Sequence, residues 1–371
     1  MIDLDRRTFL AHAAGGVAAM ALVPDLKALS GFALNAPLRV GVIGVGRQGR
    51  TIIGELSKIN DVNVVAVCDV DERRRGAGLR RSVGSHGYED VTQLLESGTI
   101  DAVAIATPTH THREVALECL KAGVHVYLEC PLAHSREDCI AITKAARSAS
   151  SSGSVIAAGL QGRSNPVYTL ARGFFKSASV RDLISMRAQQ HQKTTWITPA
   201  NDPARKHALN WKLDASRSNG LAGEWGTHQF DVFHWYTGKY PSKVSGNGSV
   251  RFYQDDRTVY DTIACTLIFD DGASLSYDAT LANSYGGKYE VFLGSAAAIK
   301  LAWSHGWLFK EADAPTQGWE VYANRQQFHN DEGITLIAGA TKLAEQGKLK
   351  EGIGLPNPSV FYALENWISA M

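Results

Sequence analysis

Leu38–Gly49 reads LRVGVIGVGRQG, an apolar run that breaks into glycines spaced Gly44-x-Gly46-x-x-Gly49. Valine and isoleucine at this density predict a buried parallel strand. The glycines let the chain turn sharply and bring its backbone close to a pyrophosphate. A helix opening near Arg47 and Gln48 aims unpaired N–H groups and its positive dipole end at those phosphates. A second apolar run, Val62–Cys68, ends at Asp69, 20 residues after Gly49. A carboxylate there accepts from an adenosine ribose 2′-OH and repels a 2′-phosphate. Together these features predict a nicotinamide dinucleotide site that favours NAD. Arg47 and Arg73–Arg75 stand near enough to leave NADP open.

Outward from this turn, strands and helices alternate to about residue 160. Helices are predicted over 71–82, 90–96, 110–121 and 135–148, and strands over 100–106, 124–128 and 154–160. That alternation means right-handed βαβ units and a doubly wound parallel sheet, a Rossmann domain over residues 37–160. After 160 the texture changes. One helix and one strand lead into a long irregular stretch, Gln192–Asn219, which carries Lys193, Trp196, Arg205, His207 and Trp211. A helix over 226–236 follows, then strands over 243–251, 258–269, 274–281, 288–293, 298–303 and 307–310, with Asp270-Asp271-Gly272 as a hairpin turn. Helices over 332–345 and 358–370 close the chain. Residues 161–371 thus read as an α+β domain with a large, mostly antiparallel open sheet.

The chain has 371 residues and a formal net charge of +1, which suggests no nucleic-acid partner. Its five cysteines are scattered, with no C-x-x-C pair to suggest zinc and no disulfide framework. Residues 1–36 read as a signal peptide: Arg6-Arg7 and Phe9-Leu10 resemble the core of a twin-arginine signal, and a short apolar stretch, Ala13–Val23, follows. Asp5 and Ala11 depart from the usual pattern. The expectation is export after folding, to the periplasm or an equivalent place, by the twin-arginine machinery.

Further motifs name a family. GVIGVGRQG, Asp69, Ala106-Thr107-Pro108 with His110 and His112, and Val126–Ala133 (VYLECPLA) together resemble the Gfo/Idh/MocA oxidoreductases. The resemblance covers nearly all of the chain after residue 37. It implies a Rossmann domain joined to an open-sheet domain that forms the substrate face and often a homo-oligomer interface. It also implies NAD(P)-dependent oxidation or reduction of a hydroxyl on a carbohydrate or polyol. By this resemblance Thr107 and Pro108 pass under the cofactor, His112 caps the next helix beside it, and Glu129 lies beside the cofactor pocket.

Glu224-Trp225-Gly226-Thr227-His228-Gln229-Phe230-Asp231 looks like the family's Asp-x-Gly-x-His-x-x-Asp run, with Glu224 where Asp is usual. The resemblance places His228 beside the reacting hydroxyl, and an acid three residues on, Asp231, is placed to orient it as a general base. Arg163, Glu224, His207, Trp211 and Tyr285 are the candidate substrate contacts. The departure is at Cys130, where the family normally has a lysine. A thiol supplies neither that fixed charge nor its three donors. Three readings stay open: a tuned thiolate base, a space-filling residue with His228 or Tyr285 carrying the proton, or lost activity.

An exported redox enzyme meets no maintained pool of free nucleotide, so the expectation is a tightly held cofactor recycled within each catalytic cycle. The first functional reading is an NAD(P)-dependent sugar or polyol oxidoreductase. A second is an NAD-dependent glycoside hydrolase or lyase working through a transient 3-keto sugar, since such relatives also lack the lysine. The third is a catalytically retired dinucleotide- or sugar-binding protein.

Overall fold

The computed structural model describes residues 36–371 except 178, 319, 321 and 322. All but the last residue of the expected signal segment lie outside the described residues. Two sheets organise the rest. The first has six strands, β1 (Leu38–Ile43), β2 (Val62–Cys68), β3 (His86–Tyr88), β4 (Ala102–Ile105), β5 (His125–Leu128) and β6 (Ile156–Ala158), in the order β3-β2-β1-β4-β5-β6. The pairing is parallel, with Val40 opposite Ala102 and Ala104 opposite Tyr127. Val40, Val42, Val103, Ala104 and Ile105 are fully buried, as strands covered on both faces require. The strand order reverses between β1 and β4, so a crevice opens beyond their carboxyl ends.

Helices α1 (Arg47–Leu56), α2 (Glu72–Arg81), α3 (Val91–Glu96), α4 (His112–Lys121) and α5 (Arg136–Ser151) flank this sheet. Asp71, Asp90 and Ser135 cap α2, α3 and α5 by accepting from Arg74 N, Thr92 N and Asp138 N. Helix α1 opens at Gly46 with no side-chain cap and no acid in its first turn. Its first N–H groups are left for a ligand.

Helix α6 (Pro166–Lys176) leads to the second sheet: β7 (Leu183–His191), then α7 (Pro203–Leu209), α8 (Gly220–Glu224) and α9 (Gly226–Thr237), followed by β8 (Lys243–Ser249), β9 (Thr262–Ile268), β10 (Ser274–Thr280), β11 (Lys288–Gly294), β12 (Ala297–Ala302), β13 (His305–Lys310), β14 (Arg325–Gln327) and β15 (Glu332–Thr335). Its order is β14-β15-β13-β12-β11-β7-β10-β9-β8, antiparallel except for the β7–β10 pair. Leu275, Tyr277 and Ala279 of β10 are buried whereas Ser276 and Asp278 are exposed, which is the alternation of a sheet covered on one face. Helices α6 and α9 supply the cover: the Phe233 and Tyr236 rings stand 4.9 and 4.6 Å from Phe292 on β11. Two short helices follow β15, and the second, α11 (Ser359–Ser369) after α10 (Ala340–Glu345), buries Trp367 with its ring 5.7 Å from Tyr127 on β5.

Two expectations need correction. Residues 332–345 are not one helix. Glu332–Thr335 pairs with β13 and β14, and only Ala340–Glu345 is helical. Gly333 shows why: a side chain there would meet Phe309 at 2.9 Å and Phe328 at 3.1 Å, so an aromatic clamp across the strand overrides a helix-like composition. Within Gln192–Asn219, Asp202 caps a two-turn helix by accepting from Arg205 N. Among the described residues no helix is long and apolar enough to cross a membrane.

Candidate active site

The glycine turn is built by close backbone approach. Gly44 has φ +83°, and a Cβ there would sit 2.7 Å from Ala106 C and O and Thr107 N, at the end of β4. A Cβ at Gly49 would lie 2.0 Å from Gly44 O. Both positions therefore exclude any side chain. Asp69 holds the same turn: its carboxylate accepts from Val45 N at 2.8 Å and Asp71 N at 2.9 Å. Burial raises its pKa above the ordinary carboxyl value against these donors. The Arg74 guanidinium comes within 3.6 Å of where a Gly46 Cβ would be, so a second charge faces the ribose end. Asp71 is engaged by Arg205 from the long segment. An uncapped helix, a side-chain-free turn and a buried acid after β2 fit a dinucleotide. Gly44, Gly46, Gly49, the α1 N-terminus and Asp69 would hold it.

Two further strand ends face this turn. Thr107 and Pro108 follow β4; Glu129 and Cys130 follow β5, with a cis bond between Cys130 and Pro131. Glu129 is buried, accepts from Gln48 Nε2 at 2.9 Å and from Cys130 N at 3.3 Å, and is pushed up to about 7 by burial. Gln48 thus reaches the second strand end through Glu129. Arg47 is exposed at the helix opening. His112 does not face the crevice. It is buried, with Nδ1 3.0 Å from Pro131 O and Nε2 2.9 Å from Thr107 O, and so it staples the two loops together. Its role toward a cofactor is to position Thr107 and Pro131.

The surroundings of Cys130 oppose a thiolate. Burial raises the thiol well above its ordinary value, and Glu129 and Asp231 raise it further. Burial dominates, and the nearby Arg163 guanidinium is taken up by Asp231, so the thiol stays protonated and the space-filling reading is the one its surroundings favour. Cys130→Ala is expected to keep kcat within about threefold of wild type, a barrier change well under ~1 kcal/mol. Steady-state rates of the two proteins check this, and near-complete loss would restore the thiol to the chemistry.

His228 stands in the first turn of α9. Its Nδ1 is buried without a hydrogen-bond partner, and its ring lies edge-on to Trp303 at 6.2 Å. Burial, then the charges of Lys288 and Lys212, drive its pKa down to about 3, so the ring is neutral at physiological pH. Asp231 does not orient it. Its carboxylate is turned to Arg163, which donates from Nε at 2.9 Å and from a terminal nitrogen at 2.7 Å. A bidentate guanidinium outcompetes a neutral ring for that carboxylate. Arg163 is therefore committed to this pair beside Cys130. Glu224, buried at the end of α8, accepts from Thr109 Oγ1 at 3.2 Å and lies 3.5 Å from Lys212 Nζ. Burial raises its pKa above the ordinary carboxyl value.

Sequence reading missed two lysines and one aromatic wall, Trp303, while Trp196 and Trp211 were legible in the long segment. Lys288, at the start of β11, lays its ammonium 3.6 Å over the Trp303 ring, and burial draws it down to about 8. Glu290 lies two residues on and accepts from Tyr168 Oη at 2.5 Å. Lys212 stands over Trp196 and Trp211 at 5.5 and 5.4 Å. Trp196 and Trp303 are both in the left-handed region, with φ +62° and +52°. Asn165 donates to Trp303 O at 2.7 Å, while Trp303 N donates to Tyr168 Oη at 3.2 Å, so neighbours hold the strained turn in place. Trp211 joins the cluster and lies 5.8 Å from His110. His207 and Tyr285 do not: His207 is exposed on α7, and Tyr285 is 86% exposed on the turn before β11.

A glycine turn at the strand ends of a parallel sheet, with a neutral histidine beside an open second sheet, fits an NAD-binding oxidoreductase of two-sheet architecture. Residues 38–156 match the oxidoreductase family with an NAD-binding Rossmann fold, and residues 190–300 match the Gfo/Idh/MocA C-terminal domain. These two regions make up more than half of the chain, which belongs to the Gfo/Idh/MocA oxidoreductases. A myo-inositol 2-dehydrogenase of Thermotoga maritima is 28% identical over 71% of this chain and 74% of its own length. A glycosyl hydrolase family 109 protein 2 of Shewanella sp. strain ANA-3 is 32% identical, over 37% of this chain and 36% of its own. Levoglucosan dehydrogenase, solved with NADH and levoglucosan, shares the fold with a TM-score of 0.68 at 20% identity, covering 90% of each chain.

Proposed function

We propose that this enzyme oxidises a secondary hydroxyl of a sugar or polyol, with His228 accepting the hydroxyl proton. The observation that carries the reading is His228 itself: a neutral ring with an unpartnered buried nitrogen, walled by Trp303 and flanked by two lysines. A base must be unprotonated at working pH, and this ring is; the same burial lowers its proton affinity, so its action depends on the charge that builds on the hydroxyl oxygen as the proton leaves. Bound NAD+ would take the hydride that leaves the carbinol carbon. Lys212, Lys288, Trp211 and Trp303 offer donors and ring faces of the kind hydroxyl-rich substrates bind. The names of the Thermotoga maritima relative and of the levoglucosan complex support a polyol or sugar as substrate.

The reading extends to residues 1–36 as a twin-arginine signal, with the enzyme leaving the cytoplasm folded around a cofactor it then recycles. Purified full-length protein, with its co-purifying nucleotide followed by ultraviolet spectrum and mass as sugars and polyols are added, tests both parts. Reduced nicotinamide appearing on substrate addition is the expected result. A nucleotide that washes off in gel filtration and exchanges freely with added NAD sinks the trapped-cofactor part. Cys130 keeps the glycosidase reading alive, and aryl glycosides decide it. Free aglycone with no net NADH would replace the simple dehydrogenase with a hydrolase or lyase that returns its hydride.

A further inference from the structure

We infer that Lys212 is a catalytic residue whose ammonium donates a hydrogen bond to the oxygen of the reacting hydroxyl; this rests on the oxidoreductase reading above. Removing a proton from an alcohol in a crevice builds negative charge on oxygen, and a fixed positive donor aimed there is worth most where water is excluded. Cys130 is a neutral thiol at the end of β5 and cannot supply that charge. The described cations flanking His228 are Lys288 and Lys212.

Their placements differ. Lys288 lies on the sheet side of His228, pressed on the face of Trp303, and its charge acts against Glu290 on the same strand. Lys212 lies in the single turn Trp211–Leu213 after α7, with its ammonium against Glu224, the acid that opens the run leading to His228. Its charge acts on His228 and also on Glu129, the residue before Cys130. Its Nζ is 3.5 Å from Glu224, and Glu224 is tied to Thr109, next to Pro108. Trp196 and Trp211 face the ammonium, and neither ring can take more than an electrostatic share of it. An ammonium has three donors, and the Glu224 carboxylate at 3.5 Å engages at most one or two of them. The side chain is 36% exposed, so a substrate can reach it. Lys212 thus holds spare donors and a positive charge beside Glu224, which is tied to the loop after β4 through Thr109 and stands four residues before His228. In this arrangement the hydroxyl proton passes to His228, and Lys212 keeps its own protons throughout.

The test uses full-length protein and its best sugar or polyol substrate, with wild type, Lys212→Met, Lys212→Ala and Lys212→Arg compared. Four readouts are taken: kcat and KM, NADH affinity by fluorescence, thermal melting, and rescue of Lys212→Ala by methylamine or ethylamine. The expected result is a fall in kcat of about 100-fold or more in Lys212→Met, the scale of losing one transition-state donor. KM and NADH affinity should stay near wild type, melting should fall in Lys212→Met and Lys212→Ala because buried Glu224 loses its partner, and Lys212→Arg should keep partial activity while amines restore Lys212→Ala. Retained kcat in Lys212→Met, a rise in KM alone, or a loss accompanied by weaker NADH binding would overturn the assignment. So would a loss that neither arginine nor amine restores. Wild type that binds NADH yet oxidises no sugar or polyol overturns the functional reading itself, which is a different outcome from an active enzyme indifferent to Lys212.

Discussion

Replacing His228 with Asn is expected to lower kcat/KM for substrate oxidation by about 10³-fold, within the range for losing a positioned general base. NADH affinity should be unchanged, because the residues that would hold the cofactor are the Gly44–Gly49 turn, the start of α1 and Asp69, and the Asp69 carboxylate bonds Val45 N and Asp71 N rather than this ring. The pH dependence is the sharper test. An ordinary histidine base would lose activity as pH falls through about 6.5. Here burial and two neighbouring ammonium groups hold the ring neutral down to about 3. The wild-type profile should therefore lack a limb near 6.5 that belongs to this residue. The same shift has a stability consequence with a definite sign. The folded pKa is depressed, so the unfolded chain binds the extra proton between about 3 and 6.5. Stability from this group is fully present above 6.5 and is lost as pH falls toward 3. Melting temperatures measured across that window should fall less steeply in His228→Asn than in wild type. A wild-type activity limb at 6.5 that vanishes in the variant would show the ring to be solvated, and the base assignment would need revision.

The parts of this site that were legible in sequence are those made by local spacing. Gly44, Gly46 and Gly49 are close neighbours in one turn, and Asp69 ends the next strand, so chain order nearly equals spatial order. The two-sheet fold was legible for a similar reason, since alternation in β10 or β12 reports which face is covered. Lys212, Lys288 and Trp303 carry no such signal. Lys288 and Trp303 meet through the antiparallel register of β11 and β12, which sets Glu290 opposite Leu301, and Lys212 comes from a distant turn after α7. Asp231 shows the opposite failure. Its spacing from His228 was correctly read, but spacing on a helix does not reveal that Arg163, from a different segment, holds the carboxylate at 2.7 and 2.9 Å. Tyr285 failed because a tyrosine beside a turn looks the same in sequence whether its ring points inward or stands 86% exposed.

Gly44→Ala tests the turn on which the cofactor reading rests. Two costs coincide. The backbone sits at φ +83°, where a Cβ crowds its own carbonyl, and the added carbon would lie 2.7 Å from three atoms that are all main chain. Backbone cannot swing away as a side-chain tip can, so the end of β4, carrying Thr107 and Pro108, must shift. The left-handed penalty is roughly 1–2 kcal/mol and overpacking adds roughly 1–3 kcal/mol. Gly46→Ala provides the contrast. Its φ is −62°, and the nearest atom to a new Cβ is an Arg74 guanidinium nitrogen at 3.6 Å, which can move. Gly46→Ala should therefore melt near wild type and lose affinity only by blocking backbone approach to the pyrophosphate. Gly44→Ala should lower the melting temperature, purify without nucleotide, and bind NADH about 100-fold more weakly or worse, a loss of roughly 3 kcal/mol. Fluorescence titration and thermal melting of both variants separate the two effects. If Gly44→Ala keeps its nucleotide and melts with wild type, the close approach of this turn to β4 is not what shapes the cradle.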